Sequence, residues 1–88
     1  MKLHGEFVLR QVMDETVVIP VGQAALQLNG MILLNDVSKV IWQCLEQSTE
    51  LSTIVNAVTD AFEVSPQEAQ TDILEFLDQL RELQLLDE

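Results

Sequence analysis

The hydrophobic pattern of this chain changes period once, close to Asn35, and this change constrains the fold more than any other feature. Before it, apolar residues come in short β-branched runs such as residues 16–19, which Pro20 and Gly22 terminate. After it, apolar residues recur with the three- and four-residue spacing of helices that bury one face. Strands followed by helices predict an α+β domain.

The first third of the chain is predicted to form three or four short antiparallel strands. A strand-like stretch spans residues 7–28, in which residues 14–15 (Asp-Glu) predict the turn of a hairpin. Residues 29–30 (Asn-Gly) are a second turn signal, which lies between residues 24–28 and the apolar run 31–34. This signal predicts one further short hairpin.

Three helices are predicted after the strands. The first begins behind the N-cap Asn35 and buries a stripe made of Val37, Val40, Ile41, Cys44 and Leu45. The second repeats this spacing at Leu51, Ile54, Val55, Val58 and Phe62. A capping box with proline at the first helical position, Ser65-Pro66-Gln67-Glu68, starts a long third helix that runs towards Leu83. A small sheet beside a three-helix bundle is typical of winged helix-turn-helix architecture. The 88 residues suffice for a single domain spanning 1–88.

The charge balance restricts the classes of partner. With 15 acidic residues against 4 Lys or Arg, the formal net charge is −11, which repels phosphate backbones and argues against nucleic acid. It predicts instead that a partner surface is basic. No apolar stretch approaches the ~20 residues of a membrane span, and residues 1–6 lack the apolar block of a signal peptide, so a cytoplasmic protein is expected. The single cysteine agrees with a reducing compartment.

The chain offers no candidate machinery for an enzyme. His4 is the only histidine, and Cys44 lies on the inward stripe of the first predicted helix, where a thiol packs as a small hydrophobic group. No Cys/His spacing predicts zinc, and no glycine-rich loop predicts a phosphate site. We therefore predict a non-catalytic binding module without a cofactor or metal ion.

Two apolar surfaces are larger than one small core requires. The run 31–34 alternates its side chains between the two faces of a strand, so both faces are apolar, and it lacks the Lys or Pro that usually blocks an edge strand. The third predicted helix carries a wide apolar surface, composed of Ala69, Ile73, Phe76, Leu80 and Leu83 with Leu74 and Leu77 beside them. Packing on two neighbours explains this width as well as a binding groove does.

Short motifs lie in order along most of the chain: Leu34-Asn35-Asp36, Ile41-Trp42, Leu45, Phe62, Ser65-Pro66, Asp72-Ile73, Phe76-Leu77, Leu80 and Leu85-Leu86. In order and spacing, these residues resemble the PqqD family of peptide-recognition elements for ribosomally made, modified peptides. Two positions depart from the family pattern. Residues 47–50 replace a glycine-containing turn, and Gln84 replaces a glycine near the end of the third helix.

The resemblance implies a cleft between the last strand and the third helix, where the leader of a precursor peptide adds an antiparallel strand. Carried over by position, Met31, Ile32, Leu33 and Leu34 form the receiving strand. The helical side of the cleft is then expected to be lined by Gln70, Ile73, Leu74, Leu77 and Arg81. On this hypothesis Leu77→Asp weakens peptide binding without unfolding the domain.

The resemblance also implies that a partner enzyme performs the chemistry on the bound peptide. In this family that partner is often a radical SAM enzyme with iron–sulfur clusters. The open edge offers a second use, pairing with another copy of the chain to form a homodimer. Two alternatives without a leader peptide stay open: a scaffold that uses the same groove for an unrelated partner, and a winged-helix regulator that acts through protein contacts.

Overall fold

The predicted α+β class is confirmed by the computed structural model, which describes residues 1–27 and 30–88. Short strands and one short helix come first, three longer helices follow, and a two-residue strand closes the chain. In chain order the elements are β1 Lys2–Leu3, β2 Glu6–Val12, β3 Glu15–Val21, α1 Ala24–Gln27, β4 Ile32–Leu34, α2 Asp36–Leu45, α3 Leu51–Ala61, α4 Pro66–Glu82 and β5 Leu86–Asp87.

The main sheet has the order β2-β3-β4 and is antiparallel throughout. β2 and β3 form the predicted hairpin and pair along their whole length, whereas β4 pairs only with residues 16–18 of β3. Pro20 lies in β3 beyond the part that β4 reaches, so its missing N–H leaves no gap in the β3–β4 ladder. β4 is therefore a short edge strand on a longer hairpin.

The predicted turn of the first hairpin is displaced by one residue. Glu15 pairs with Val12, and the turn consists of Met13 and Asp14. Met13 has a φ of 57°, in the left-handed region, and its side chain is 93% exposed. Methionine is not among the residue types that favour turns, so no sequence rule predicts a turn at Met13.

The strand predicted over residues 24–28 is wrong where the structure describes it. Residues 24–27 form α1, and the residues of this segment, Ala-Ala-Leu-Gln, are good helix formers. Gly22, with a φ of 59°, turns the chain out of β3, and its carbonyl accepts a hydrogen bond from Ala25 N–H at 3.2 Å. Leu28 and Asn29 lie outside the described residues, so the predicted Asn29-Gly30 turn is described only at Gly30.

The three long helices begin close to their predicted positions. At the start of α4, Ser65 Oγ accepts a hydrogen bond from Glu68 N–H at 3.1 Å, and Pro66 is the first helical residue. Within the residues the structure describes, this is the only half of the predicted capping box that forms. The N-cap of α3 is Glu50, which makes no side-chain capping bond. None of the described helices combines the length and apolar character needed to cross a bilayer.

The core lies between the sheet and the three long helices. Trp42 of α2 is 1% exposed, and its ring meets Phe7 of β2 edge-on, with centroids 5.2 Å apart and an interplanar angle of 85°. Around this pair are packed buried side chains from every layer: Val18, Leu34, Ile41, Leu45, Ile54, Val58, Ala69, Ile73, Leu77, Leu80 and Leu85.

The segments near the two ends of the chain pair with each other, which no pattern in the sequence indicates. β1 and β5 form a two-stranded antiparallel sheet in which Lys2 pairs with Asp87 and Leu3 with Leu86. His4 N–H adds a hydrogen bond to the carbonyl of Leu85 at 2.8 Å. Strands of two residues are too short to give a periodic signal, so this pairing depends on tertiary contacts.

The end of α4 keeps a left-handed residue although glycine is absent. Gln84 has a φ of 60°, its N–H donates to the carbonyl of Arg81, and Leu85 N–H donates to the carbonyl of Leu80. This bond pattern is a Schellman motif, which usually places glycine at the Gln84 position. The burial of Leu85, at 1% exposure, holds the motif closed.

We expect Gln84→Gly to stabilise the protein by about 1 kcal/mol, because a side chain in the left-handed region carries a steric cost that glycine lacks. Urea denaturation followed by circular dichroism measures this change. The matched control is Gln70→Gly, at an exposed position inside α4, which should destabilise by about 0.5–1 kcal/mol. Equal effects of the two substitutions would contradict the left-handed assignment.

Candidate functional site

β4 presents an apolar edge that no other described strand covers. It is the last strand in the order β2-β3-β4, and its residues are Ile32, Leu33 and Leu34. Leu34 is buried at 5% exposure, whereas Leu33 is 61% exposed. The opposite edge strand, β2, contains Glu6, Arg10 and Gln11, and charged groups of this kind discourage strand pairing. β4 is thus the better acceptor for an added strand.

Met31 does not belong to β4, although the sequence placed it in the receiving strand. The strand starts at Ile32, and Met31 stands just before it with 66% of its side chain exposed. The other three predicted strand residues are in β4. The side chains of Leu33 and Met31 are the apolar groups at this edge that solvent reaches most freely.

A groove of about 340 Å³ runs between the end of β4, α2 and α4. It is comparable to the smaller ligand sites of proteins and is open along one side, as an extended chain requires. Its lining combines apolar and polar side chains: Leu33, Asn35, Val37, Ser38, Ile41, Asp72, Glu75, Phe76 and Gln79.

One side of the groove is fixed by the cap of α2. Asn35 Oδ1 accepts a hydrogen bond from Ser38 N–H at 2.8 Å, and Asn35 N–H donates to Ser38 Oγ at 2.8 Å. These reciprocal bonds form a capping box immediately after the last residue of β4. The cap therefore sets the angle between the edge strand and α2, and Ser38 is committed to this structural role.

The helical side of the groove is the flank of α4 that carries Asp72, Glu75, Phe76 and Gln79. Three of the predicted contact residues, Gln70, Leu74 and Arg81, lie on the opposite flank, because a helix turns about 100° per residue and the buried stripe separates the two sets. The groove therefore lies against the flank of α4 that does not carry Gln70, Leu74 and Arg81.

Ile73 and Leu77, the other two predicted contact residues, belong to the core. Their side chains are 0% and 1% exposed, so a peptide in the groove does not reach them. The wide apolar surface of α4 is thus explained mainly by packing on its neighbours. Leu74, at 38%, and Leu83, at 45%, are the most exposed apolar residues of this region.

Arg81 forms ion pairs with two acidic neighbours. Its guanidinium donates to Asp78 Oδ1 at 2.7 Å and to both carboxylate oxygens of Glu88, at 3.0 and 2.8 Å. The hydrogen bond from Arg81 holds the pKa of the Glu88 carboxyl below its usual range. Arg81 therefore ties the end of the chain to α4, and it lies away from the groove.

The residues with potential for catalysis are dispersed. His4 Nδ1 lies 3.2 Å from Asp87 on an exposed surface, and burial raises the pKa of the Cys44 thiol, which opposes formation of the reactive thiolate. Within residues 1–27 and 30–88, no three His, Cys, Asp or Glu side chains are grouped as metal ligands. The described lining of the groove includes Asp72 and Glu75 but not His4 or Cys44.

Comparison with known proteins agrees with this geometry. The sequence model of the family described as coenzyme PQQ synthesis protein D (PqqD) matches residues 14–86. The chain belongs to the PqqD family. The matched range includes β3, the edge strand β4 and all three long helices, so the whole groove lies within the family domain.

A similar solved structure extends this comparison to three dimensions. The structure of TbiB1 in complex with the TbiA(beta) leader peptide superposes with a TM-score of 0.75 and 25% sequence identity. The match covers 99% of this chain and 95% of the other. No curated protein sequence matches the chain significantly.

We expect Leu77→Asp to unfold the domain rather than to act as a groove variant. Leu77 is 1% exposed, and loss of its packing together with burial of an unpaired carboxylate costs about 4 kcal/mol or more. Leu74→Asp, three residues earlier on α4 and 38% exposed, should cost less than about 1 kcal/mol. Thermal denaturation of the two variants measures the difference, and similar melting temperatures would contradict the burial of Leu77.

Proposed function

We propose that this PqqD-family protein binds the leader segment of a ribosomally made precursor peptide by strand addition at β4. The observation that carries the proposal is the free apolar edge of β4 beside an open groove. In strand addition, backbone hydrogen bonds supply affinity and pockets for alternate side chains supply specificity. The leader peptide in the TbiB1 complex supports the same use of the fold here.

The geometry of the groove suits this mode of binding. A strand added at the usual spacing of about 4.8 Å from β4 lies over the opening towards α4. Its side chains on one face then point into the groove, where the partly exposed Val37 and Phe76 provide apolar contacts. A short strand buries an area at the small end of protein interfaces, so affinity depends on a preformed site and a few apolar anchors.

The bound peptide is then presented to a modifying enzyme, and the chemistry belongs to that enzyme. The dispersed positions of His4 and Cys44 support a non-catalytic role for this chain. In PqqD-family systems the partner is often a radical SAM enzyme with iron–sulfur clusters. Pairing of the β4 edges of two copies competes with peptide for the same backbone groups, so a homodimer and a peptide complex exclude each other at this edge.

The direct test is a two-dimensional amide NMR titration of the labelled protein. The probe is a synthetic leader segment of the short precursor peptide encoded beside its gene. We expect saturable shifts at residues 31–34 and along residues 72–79 of α4, with smaller shifts on the opposite flank at Gln70 and Leu74. Shifts confined to that opposite flank would place the site elsewhere, and a spectrum unchanged at saturating peptide would contradict leader binding.

We expect Leu33→Asp to weaken leader binding by about tenfold or more, because it places a charge at the centre of the receiving edge. Leu33 is 61% exposed, so the variant should retain the stability of the parent. Leu26→Asp is the matched control: Leu26 is 87% exposed on α1 and lies outside the groove. Isothermal titration calorimetry compares the three proteins, and equal affinities would remove β4 from the site.

Strand addition also predicts a periodic response to changes in the peptide backbone. N-methylation of a leader amide that donates to β4 removes a hydrogen bond and should weaken binding about fivefold to tenfold. N-methylation of the next amide, which points away from β4, should have a smaller effect. A series of singly methylated peptides measures this alternation. A response without a two-residue period would show that the peptide does not bind as a strand.

A further inference from the structure

The groove is acidic on its helical side, and none of the described residues that line it is basic. Asp72 and Glu75 are the charged residues of its lining, and the remaining polar groups, Asn35, Ser38 and Gln79, are neutral. Both carboxylates are exposed, and neither takes part in an ion pair within the described residues. The wall of the groove therefore has two negative charges that the protein leaves uncompensated.

Asp72 and Glu75 lie on the same face of α4 as Phe76, the apolar residue that this helix contributes to the groove. Asp72, Glu75, Phe76 and Gln79 follow the three- and four-residue spacing that places side chains on one helix face. Along the helix axis, Asp72 and Glu75 are about 4.5 Å apart, a separation that one guanidinium or ammonium group can bridge. Phe76 lies next to them, so a charged subsite and an apolar subsite are adjacent.

The acidic character continues past the end of β4. A second depression shares Leu33 and Asn35 with the groove, and its lining contains Asp14, Glu15 and Asp36 with a single cation, Lys39. A peptide that follows the β4 edge would thus pass from one acidic region into another. The formal net charge of −11 strengthens the attraction of this path for a basic chain.

From these observations we infer that the groove selects extended peptides that carry a lysine or arginine close to an apolar residue. The basic head group lies between Asp72 and Glu75, and the apolar side chain packs against Val37 and Phe76, which are partly exposed. This inference rests on the proposed function, because it names the class of peptide that the same groove accepts. It goes beyond that function by assigning recognition to two carboxylates.

The size of the effect follows from the exposure of the carboxylates. Exposed ion pairs contribute little each, so we expect removal of two of them to reduce affinity only about threefold to tenfold. Backbone pairing and apolar contacts supply the rest of the affinity. Asp72 and Glu75 therefore contribute mainly to peptide specificity and to the association rate.

The experiment is a selection from a random eight-residue peptide library displayed on messenger RNA, performed in parallel on three proteins. These are the parent, the groove variant Asp72→Asn/Glu75→Gln and the control variant Asp60→Asn/Glu63→Gln. The control removes the same charges from exposed positions outside the groove. Each substitution is nearly isosteric, so all three proteins should fold alike, and circular dichroism verifies this.

We expect the parent and the control to enrich peptides with a basic residue at a fixed distance from an apolar one. The groove variant should enrich apolar, strand-forming peptides without the basic preference. Enrichment from the parent without a basic preference, or a preference that survives in the groove variant, would overturn the inference and leave leader binding intact. Absence of any enrichment from the parent would overturn the proposed function together with the inference.

An affinity measurement on one selected peptide completes the test. Replacement of its basic residue by norleucine should weaken binding to the parent about threefold to tenfold and leave binding to the groove variant nearly unchanged. Fluorescence anisotropy at low and high salt gives these values. Equal losses for both proteins would show that the basic residue does not contact Asp72 or Glu75.

Discussion

The junction between Leu34 and Asn35 determines the geometry on which the binding site depends. Leu34 anchors the last residue of β4 in the core, and the next residue caps α2 through reciprocal bonds with Ser38. No flexible connection separates the edge strand from the helix beside it. The strand edge and the groove are consequently held in a fixed relation, so binding does not have to order them first.

Local sequence rules predicted most of the helical part of the fold. The N-caps Asn35 and Ser65 are strong signals because their side chains bond directly to nearby backbone groups, and both helices begin where these residues indicate. The segment 24–27 was misassigned because four residues are too few to show a helical period. The pairing of β1 with β5 was missed for a related reason, since its cause lies in contacts between distant parts of the chain.

The sequence indicated the two elements that border the candidate groove, β4 and α4, but not which side chains of α4 face it. An apolar run without Lys or Pro was sufficient to identify β4 as the open edge, because edge protection depends on residue type. The flank of α4 could not be chosen from its sequence, since its apolar residues extend to both sides of the buried stripe. Ile73 and Leu77 were taken as contact residues although their burial shows that they support the core. In the sequence, Asp72 and Glu75 have the pattern of an ordinary solvated helix face. Only the position of the end of β4 shows that they line the groove.

The pairing of β1 with β5 brings Lys2 and Asp87 side by side, so the two ends of the domain meet. A domain whose ends meet can be inserted into a loop of a larger protein, because the host chain enters and leaves at nearly the same point. It can also be circularly permuted with a short linker, since closing such a small gap costs little chain entropy. The same architecture is therefore suited to use as a separate subunit or as a module within an enzyme, with the groove and the β4 edge unchanged in either setting.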